Sequence, residues 1–402
     1  MATRPLVAVT LLLAVLGALN SAYGVGRAQD DELTPLQAIN QVLDDRERSL
    51  VSGDKNTWMA TIGAGANDEF RRQQARQFDG LRRLPIEGFE LEARTLETGD
   101  LHAASDRLLP ETRMTYRLAG YDDRDVIDTL WMTFRLIDGE WKVWSDTDVS
   151  DLGLDTWRNI WDTGEIASIS TEHFLVIHHP THAGRAQALA GLAEEAAGKL
   201  AGLWDRPWSG RLPLILPSSI GELETLLQST VDLDKFVAFV AFNVNRDDGW
   251  TPTAPRLYVQ DENLRGYGRA FQVETLLHEL AHAAGSALAG PFVPGWMHEG
   301  VADWLATGRS LTERKPPGGD RALPRDYEFT TGPQETILRA YRESRSAISH
   351  LAARQGRGAP LAFFAAAGEQ KVAPGSIDFR VDEALRRSTG LSLTDLEGSW
   401  SR

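Results

Sequence analysis

The 402-residue chain contains no cysteine, and this absence narrows the chemistry open to it. It excludes disulfide bonds, thiolate metal ligands, a cysteine nucleophile and a lipid anchor attached through cysteine. Lysine is scarce, with six among 42 basic residues, whereas 57 acidic residues give a formal net charge of −15. An acidic chain is repelled by nucleic acid and by anionic lipid, so we expect neither as a partner. Any metal ligands must be histidine, aspartate or glutamate.

Long apolar runs are confined to the N-terminus. Arg4 precedes an apolar run over residues 6–19, and the small residues at 22–24 offer a cleavage site. This pattern predicts an export signal over residues 1–24. An uncleaved membrane anchor is the alternative, because residues 5–26 carry no charge. Either interpretation predicts a secreted or extracytoplasmic protein, with association with the cell envelope if the segment stays uncleaved.

The length predicts two folded units, since 402 residues exceed the usual size of one small domain. Helical periodicity in residues 33–51 and 66–84 is followed by strand patterns at 89–96, 113–118, 126–137 and 140–146, which predicts an α+β domain over residues 33–150. Asp138-Gly139 is a strong signal for a two-residue hairpin turn. A connector is expected over residues 151–170, and a second domain over residues 171–402.

The first unit, residues 33–150, resembles the NTF2-like (SnoaL-like) cone fold. The resemblance rests on the order of its predicted elements and on its ending, which runs from Asp138 to Trp144. It implies a curved sheet around an interior whose aromatic residues could line a ligand pocket. Packing of the core is the alternative role for these aromatic side chains.

The second unit mixes predicted strands and helices. Strands are expected at 173–178, 212–216, 236–244 and 256–260, and helices at 186–203 and 220–228. Two further helices are expected at 271–288 and 296–307, and three or four more over residues 335–402.

The most specific chemical pattern is the segment His278-Glu279-Leu280-Ala281-His282. Histidines four residues apart lie on one face of a helix, about 6 Å apart along its axis, so both imidazoles can reach one metal ion. A glutamate directly after the first histidine can act as a general base toward a metal-bound water. Two ordinary helical histidines without a metal are the alternative.

Two carboxylates on the following predicted helix complete the pattern. Glu299 and Asp303 are four residues apart and share a face. Glu299 is assigned as the third metal ligand and Asp303 as the carboxylate that orients a ligating histidine, although the reverse stays open. Three protein ligands leave one position free, as a catalytic site requires, and this ligand set suits zinc. The predicted cofactor is one Zn²⁺ ion.

These motifs resemble the gluzincin metallopeptidases of the thermolysin-like superfamily, in particular the peptidase MA-like family. That family carries His-Glu-x-x-His and a later Trp-x-x-Glu-Gly-x-Ala segment, here Trp296 to Ala302, and the resemblance covers roughly residues 170–402. It implies a zinc metallopeptidase acting on a peptide or protein substrate, with a mixed sheet before the first site helix and helices after it. It implies the same roles for the five site residues named above.

Peptide hydrolysis also needs a donor for the oxyanion of the intermediate. Tyr341 is the preferred candidate, with Tyr327, His350 and His298 as alternatives, and a packing role is open for each. The predicted strand at 256–260 could offer a free edge to an extended substrate, or it could be an ordinary internal strand.

Two other functions are compatible with these patterns. One is a binding or regulatory protein with a structural or inactive zinc site, and the other is a metal-dependent hydrolase acting on a different bond. The presence of Glu279 argues against the first, because a structural zinc site prefers four protein ligands and has no use for a base. The first unit could recognise substrate, dock the enzyme at a surface, or cover the active site.

Overall fold

A computed structural model describes residues 33–95, 105–228, 233, 236–245, 251–289, 293–307, 322–369 and 377–400. The fold is mixed α and β, which agrees with the predicted α+β class at that level. The predicted export segment over residues 1–24 lies outside the described residues. Within the described part of the chain, no helix is long and apolar enough to cross a membrane.

The first unit begins with three helices. Thr34 and Gln37 form a capping box that starts α1 (Pro35–Ser52), in agreement with the periodicity. The short α2 (Lys55–Ala60), capped by Asp54, is not visible in the periodicity because it has fewer than two turns. The third helix is α3 (Asp68–Arg83).

Six strands follow in two antiparallel sheets. One has the order β1-β3-β4 and the other β2-β5-β6. The single strand predicted before the hairpin turn is in fact two, which belong to different sheets. The strands are β1 (Ile86–Arg94), β2 (Arg107–Leu108), β3 (Glu111–Leu118), β4 (Val126–Trp131), β5 (Thr133–Ile137) and β6 (Glu140–Ser145).

The predicted hairpin turn between β5 and β6 is confirmed. Asp138 and Gly139 both have positive φ, 51° and 86°, as a type I′ turn requires. Inside the unit, Trp58, Tyr116 and Phe134 are fully buried. The cavity beside Trp58 measures about 10 Å³, roughly the space of one water molecule. These aromatic side chains therefore pack the core of the unit.

The second unit is built on a five-stranded mixed sheet with the order β10-β11-β9-β8-β7. β9 runs parallel to both of its neighbours, whereas β7 and β10 are antiparallel to theirs. The predicted connector supplies α4 (Ile160–Thr163) and the edge strand β7 (Ala167–Ser170). The other strands are β8 (Phe174–His178), β9 (Leu212–Leu216), β10 (Ala238–Asn245) and β11 (Thr251–Val259).

Helices cover this sheet and form the C-terminal part. One of them, α8, contacts β10, β11, α5 and α9, so its residues from Gln272 to Gly285 are buried, except for the half-buried Glu274. The helices are α5 (Ala183–Ala201), α6 (Ile220–Leu227), α7 (Asp261–Leu264), α8 (Arg269–Ser286), α9 (Gly295–Ala306), α10 (Gln334–Gln355), α11 (Ala359–Gly368), α12 (Ile377–Thr389) and α13 (Leu393–Trp400).

A glycine permits the close packing of α9 on α10. A Cβ atom added at Gly300 would lie 2.7 Å from the carbonyl oxygen of Ser344 and 2.8 Å from Cγ1 of Ile348. Both contacts are shorter than packed atoms allow, so any side chain here would force the helices apart. The absence of a side chain at Gly300 brings Tyr341 of α10 toward α9.

Between the two units lies a buried polar layer. Asp128 of β4 is 3% exposed and accepts a hydrogen bond of 2.8 Å from Nδ2 of Asn159. Burial raises the pKa of Asp128 to about 6, against the opposing effects of the Asn159 amide and the Arg256 charge. This carboxyl group therefore titrates in a mildly acidic range that free aspartate does not reach.

Candidate metal centre

Three potential metal ligands converge between α8 and α9. Nε2 of His282 lies 3.0 Å from Nε2 of His278. Oε2 of Glu299 lies 3.2 Å from Nε2 of His278 and 3.4 Å from Nε2 of His282. All three residues are buried, at 4% exposure or less. His278, His282 and Glu299 are thus positioned to bind a metal ion.

The size of this triangle fits a small tetrahedral ion. Two ligands of a tetrahedral ion with bonds of about 2.1 Å are about 3.4 Å apart, which matches the triangle to within a few tenths of an ångström. Among the described residues, no fourth histidine, aspartate or glutamate belongs to this group, so no such side chain fills the fourth tetrahedral position. The donor set therefore fits a divalent cation with an open coordination position.

Asp303 contacts the histidine that it is predicted to orient. Its Oδ1 lies 2.9 Å from Nδ1 of His278, and its side chain is 17% exposed. A carboxylate can only accept, so Nδ1 of His278 carries the proton in this contact, and a bound metal ion would take the lone pair of Nε2, which faces Glu299 and His282. The reverse assignment is disfavoured, because the carboxylate within the triangle is that of Glu299.

Glu279 is fully buried, and neither of its carboxylate oxygens makes a well-formed hydrogen bond within the described structure. The backbone amide of Val240 in β10 lies beside this carboxyl group. Burial raises the pKa of Glu279 well above its ordinary value, and the adjacent His278 opposes this. A buried carboxyl group without hydrogen-bond partners is destabilising, which makes Glu279 a candidate for a functional role.

Tyr341 of α10 lies beside the same cluster. Its hydroxyl group is buried and has no hydrogen-bond partner among the described residues. Burial raises the pKa of Tyr341 well above its ordinary value, and the negative charges of Glu299, Asp303 and Glu279 raise it further. The phenol is therefore protonated at neutral pH and available as a donor.

The other three candidates for the oxyanion donor differ in their surroundings. Tyr327 is 66% exposed. Nε2 of His350 lies 2.9 Å from the hydroxyl group of Ser399 near the C-terminus. His298 is closer to the metal cluster, with its ring 6.4 Å from that of His282, and burial together with this neighbour lowers its pKa to about 4. His298 is thus neutral at physiological pH and is a second potential donor.

The predicted strand at 256–260 is not the free sheet edge that was the first of its two alternatives. β11, which contains residues 256–259, pairs with β10 on one side and β9 on the other, so it is an internal strand. Within the described part of the chain the sheet ends at β10, whose Val240 lies next to Glu279. The sequence does not reveal this order, because it depends on which side of β11 the hairpin partner folds.

A second group with ligand geometry lies away from this centre. Glu172, His173 and Glu194 bring donor atoms within 4.8 Å of one another. His173 already contacts Glu194 at 2.6 Å, and both side chains are about one quarter exposed. His173 and Glu194 form a partly exposed hydrogen-bonded pair, and no sequence motif indicates a metal site there.

The chain matches no protein-family model and no curated protein at significant similarity.

Proposed function

We propose that the protein is an exported zinc metallopeptidase that hydrolyses peptide bonds, with His278, His282 and Glu299 as its zinc ligands. The observation that carries this proposal is the buried, unpartnered Glu279 carboxyl group next to a three-donor triangle of tetrahedral size. A structural zinc site prefers four protein ligands and needs no such group. Export is supported by the N-terminal sequence pattern.

Zinc is the ion that best suits two imidazoles and one carboxylate. When bound, it would polarise the substrate carbonyl, lower the pKa of a water molecule toward about 7 and supply positive charge near Glu279. Glu279 then acts as the general base that accepts a proton from water and passes it to the leaving amine. Asp303 holds the tautomer and orientation of His278.

The oxyanion of the tetrahedral intermediate requires a neutral donor with a free hydrogen. Tyr341 meets this requirement, because its hydroxyl group is buried beside the cluster, is protonated and has no hydrogen-bond partner. An extended substrate would pair with β10, the outer strand of the described sheet, whose Val240 lies beside Glu279.

The test is a comparison of matched glutamine variants on helix α8. Glu279→Gln keeps the size of the side chain but removes the base, so hydrolysis of casein or a quenched peptide library should fall about 10²- to 10⁴-fold with zinc content unchanged. Glu274→Gln, on the same helix and only half-buried, should keep full activity. A chelator should abolish hydrolysis, and added zinc should restore it.

The same experiment separates the competing functions. Full activity in Glu279→Gln would exclude Glu279 as the base. Stoichiometric zinc with no hydrolysis of any peptide would favour a binding protein, or a hydrolase that acts on another bond. Loss of zinc from His282→Ala is required by the ligand assignment.

A further inference from the structure

A buried ion pair joins the two units of the chain. Asp122, in the connection between β3 and β4, contacts Arg256 of β11 through two bonds of 2.5 and 2.8 Å. The Asp122 side chain is fully buried and that of Arg256 is 11% exposed. Asp122 also accepts a hydrogen bond of 2.7 Å from the backbone amide of Leu118, so its carboxylate is fixed within the first unit. Such a planar, bidentate guanidinium–carboxylate pair fixes the relative orientation of the two side chains as well as their distance.

The ion pair is located at an irregular point of the β10–β11 hairpin. Ala241 pairs with Arg256, but Asn243 pairs with Thr253, so β11 contains one extra residue there. Ala254, inside this bulge, has a φ of 47°, a left-handed conformation that is strained for a residue with a Cβ atom. Bulges of this kind redirect side chains and increase local twist. The bulge therefore needs support from its surroundings, and Arg256 provides a point of attachment.

Arg256 is separated from the metal centre by only a few residues of the hairpin. Arg256 is paired across the hairpin with Ala241. The residue before Ala241 in β10 is Val240, whose amide lies beside Glu279. A second contact connects the units along the same strand, because Nδ2 of Asn243 donates to the carbonyl oxygen of Ile127 at 3.4 Å. The first unit thus contacts both strands of the hairpin within a few residues of the site.

We propose that Asp122 and Arg256 position the β10–β11 hairpin over the metal centre, so that the first unit is required for substrate binding although it contributes no residue to the chemistry. This inference rests on the proposed peptidase function for its effect on catalysis. Both residues are positioning residues. The first unit accordingly supports the active site and does not act as a removable cover.

The test uses the full chain and a double-mutant cycle. Asp122→Asn should raise KM for an extended peptide about 3- to 30-fold, the range expected for coupling through a packed network, while kcat changes little. Arg256→Gln should act similarly. The double variant should be no worse than either single variant, because both remove the same interaction. The control is Asp125→Asn, which removes the exposed pair with Arg117 in the same connection of the first unit.

Hydrogen exchange of residues 236–245 in metal-free protein supplies a readout that does not depend on catalysis. Asp122→Asn should increase exchange there, and Asp125→Asn should not. Unchanged exchange and KM, additive effects in the cycle, or faster hydrolysis in Asp122→Asn would each overturn the inference. If the wild-type protein hydrolyses no peptide, the proposed function fails, and the exchange measurement still decides whether the ion pair holds the hairpin.

Discussion

Removing the side chain of Asp303 should weaken zinc binding without removing a zinc ligand. In Asp303→Ala, His278 loses the carboxylate that lies 2.9 Å from its Nδ1 and holds it in place. Loss of such a supporting carboxylate typically lowers metal affinity about 10- to 100-fold, which corresponds to about 1.4–2.7 kcal/mol. Asp303→Asn keeps an acceptor oxygen and loses only the charge, so its effect should lie near the lower end of this range.

The assay is competition with a fluorescent zinc chelator at pH 7.5, together with thermal unfolding at fixed free zinc. Weaker binding reduces the stabilisation that zinc provides, so the melting temperature of zinc-loaded Asp303→Ala should fall more than that of the metal-free form. Asp326→Asn is the control, because this exposed carboxylate contacts the first residue of α9, Gly295, at the end away from Asp303. Wild-type zinc affinity in Asp303→Ala would refute the orienting role.

Three further changes test the packing, the buried charge and the donor. Gly300→Ala should destabilise the protein by about 1–3 kcal/mol in urea unfolding, because its Cβ meets Ser344 at 2.7 Å, whereas Gly198→Ala, with open space around its Cβ, should not. Asp128 has a pKa of about 6 when folded and about 3.9 when unfolded, so the folded state binds its proton more tightly and stability rises as pH falls from 6 to 4. Asp128→Asn should therefore stabilise the protein by up to about 3 kcal/mol at pH 7.5 and by little at pH 4, and equal effects at both would contradict this. Tyr341→Phe should lower kcat about 10²- to 10³-fold with zinc content and stability maintained, and an unchanged kcat would remove Tyr341 as the donor.

The residues of the metal centre could be predicted from the sequence because all of them lie on two helices, where residue spacing determines which side chains share a face. The four-residue spacing of His278 and His282 fixes their common face once the segment is helical, and α8 begins and ends within two residues of its predicted bounds. Glu299 and Asp303 share a face for the same reason. Their approach to α8 depends on tertiary packing, and the motif resemblance supplied that step.

The order of the strands and the contact between the two units could not be predicted from the sequence. Asp122 and Arg256 are 134 residues apart, and neither belongs to a motif. The choice of β10 as the outer strand depends on long-range pairing that alternating hydrophobicity does not encode. The single predicted strand over residues 126–137 divides in two because β4 and β5 join different sheets.

Anomalous X-ray scattering at the zinc absorption edge, from crystals of the purified protein, tests the central claim most directly. We expect one zinc ion within bonding distance of Nε2 of His278, Nε2 of His282 and Oε2 of Glu299, with a water molecule near Glu279 in the remaining position. A zinc ion bound elsewhere, or a fourth protein ligand in that position, would contradict it.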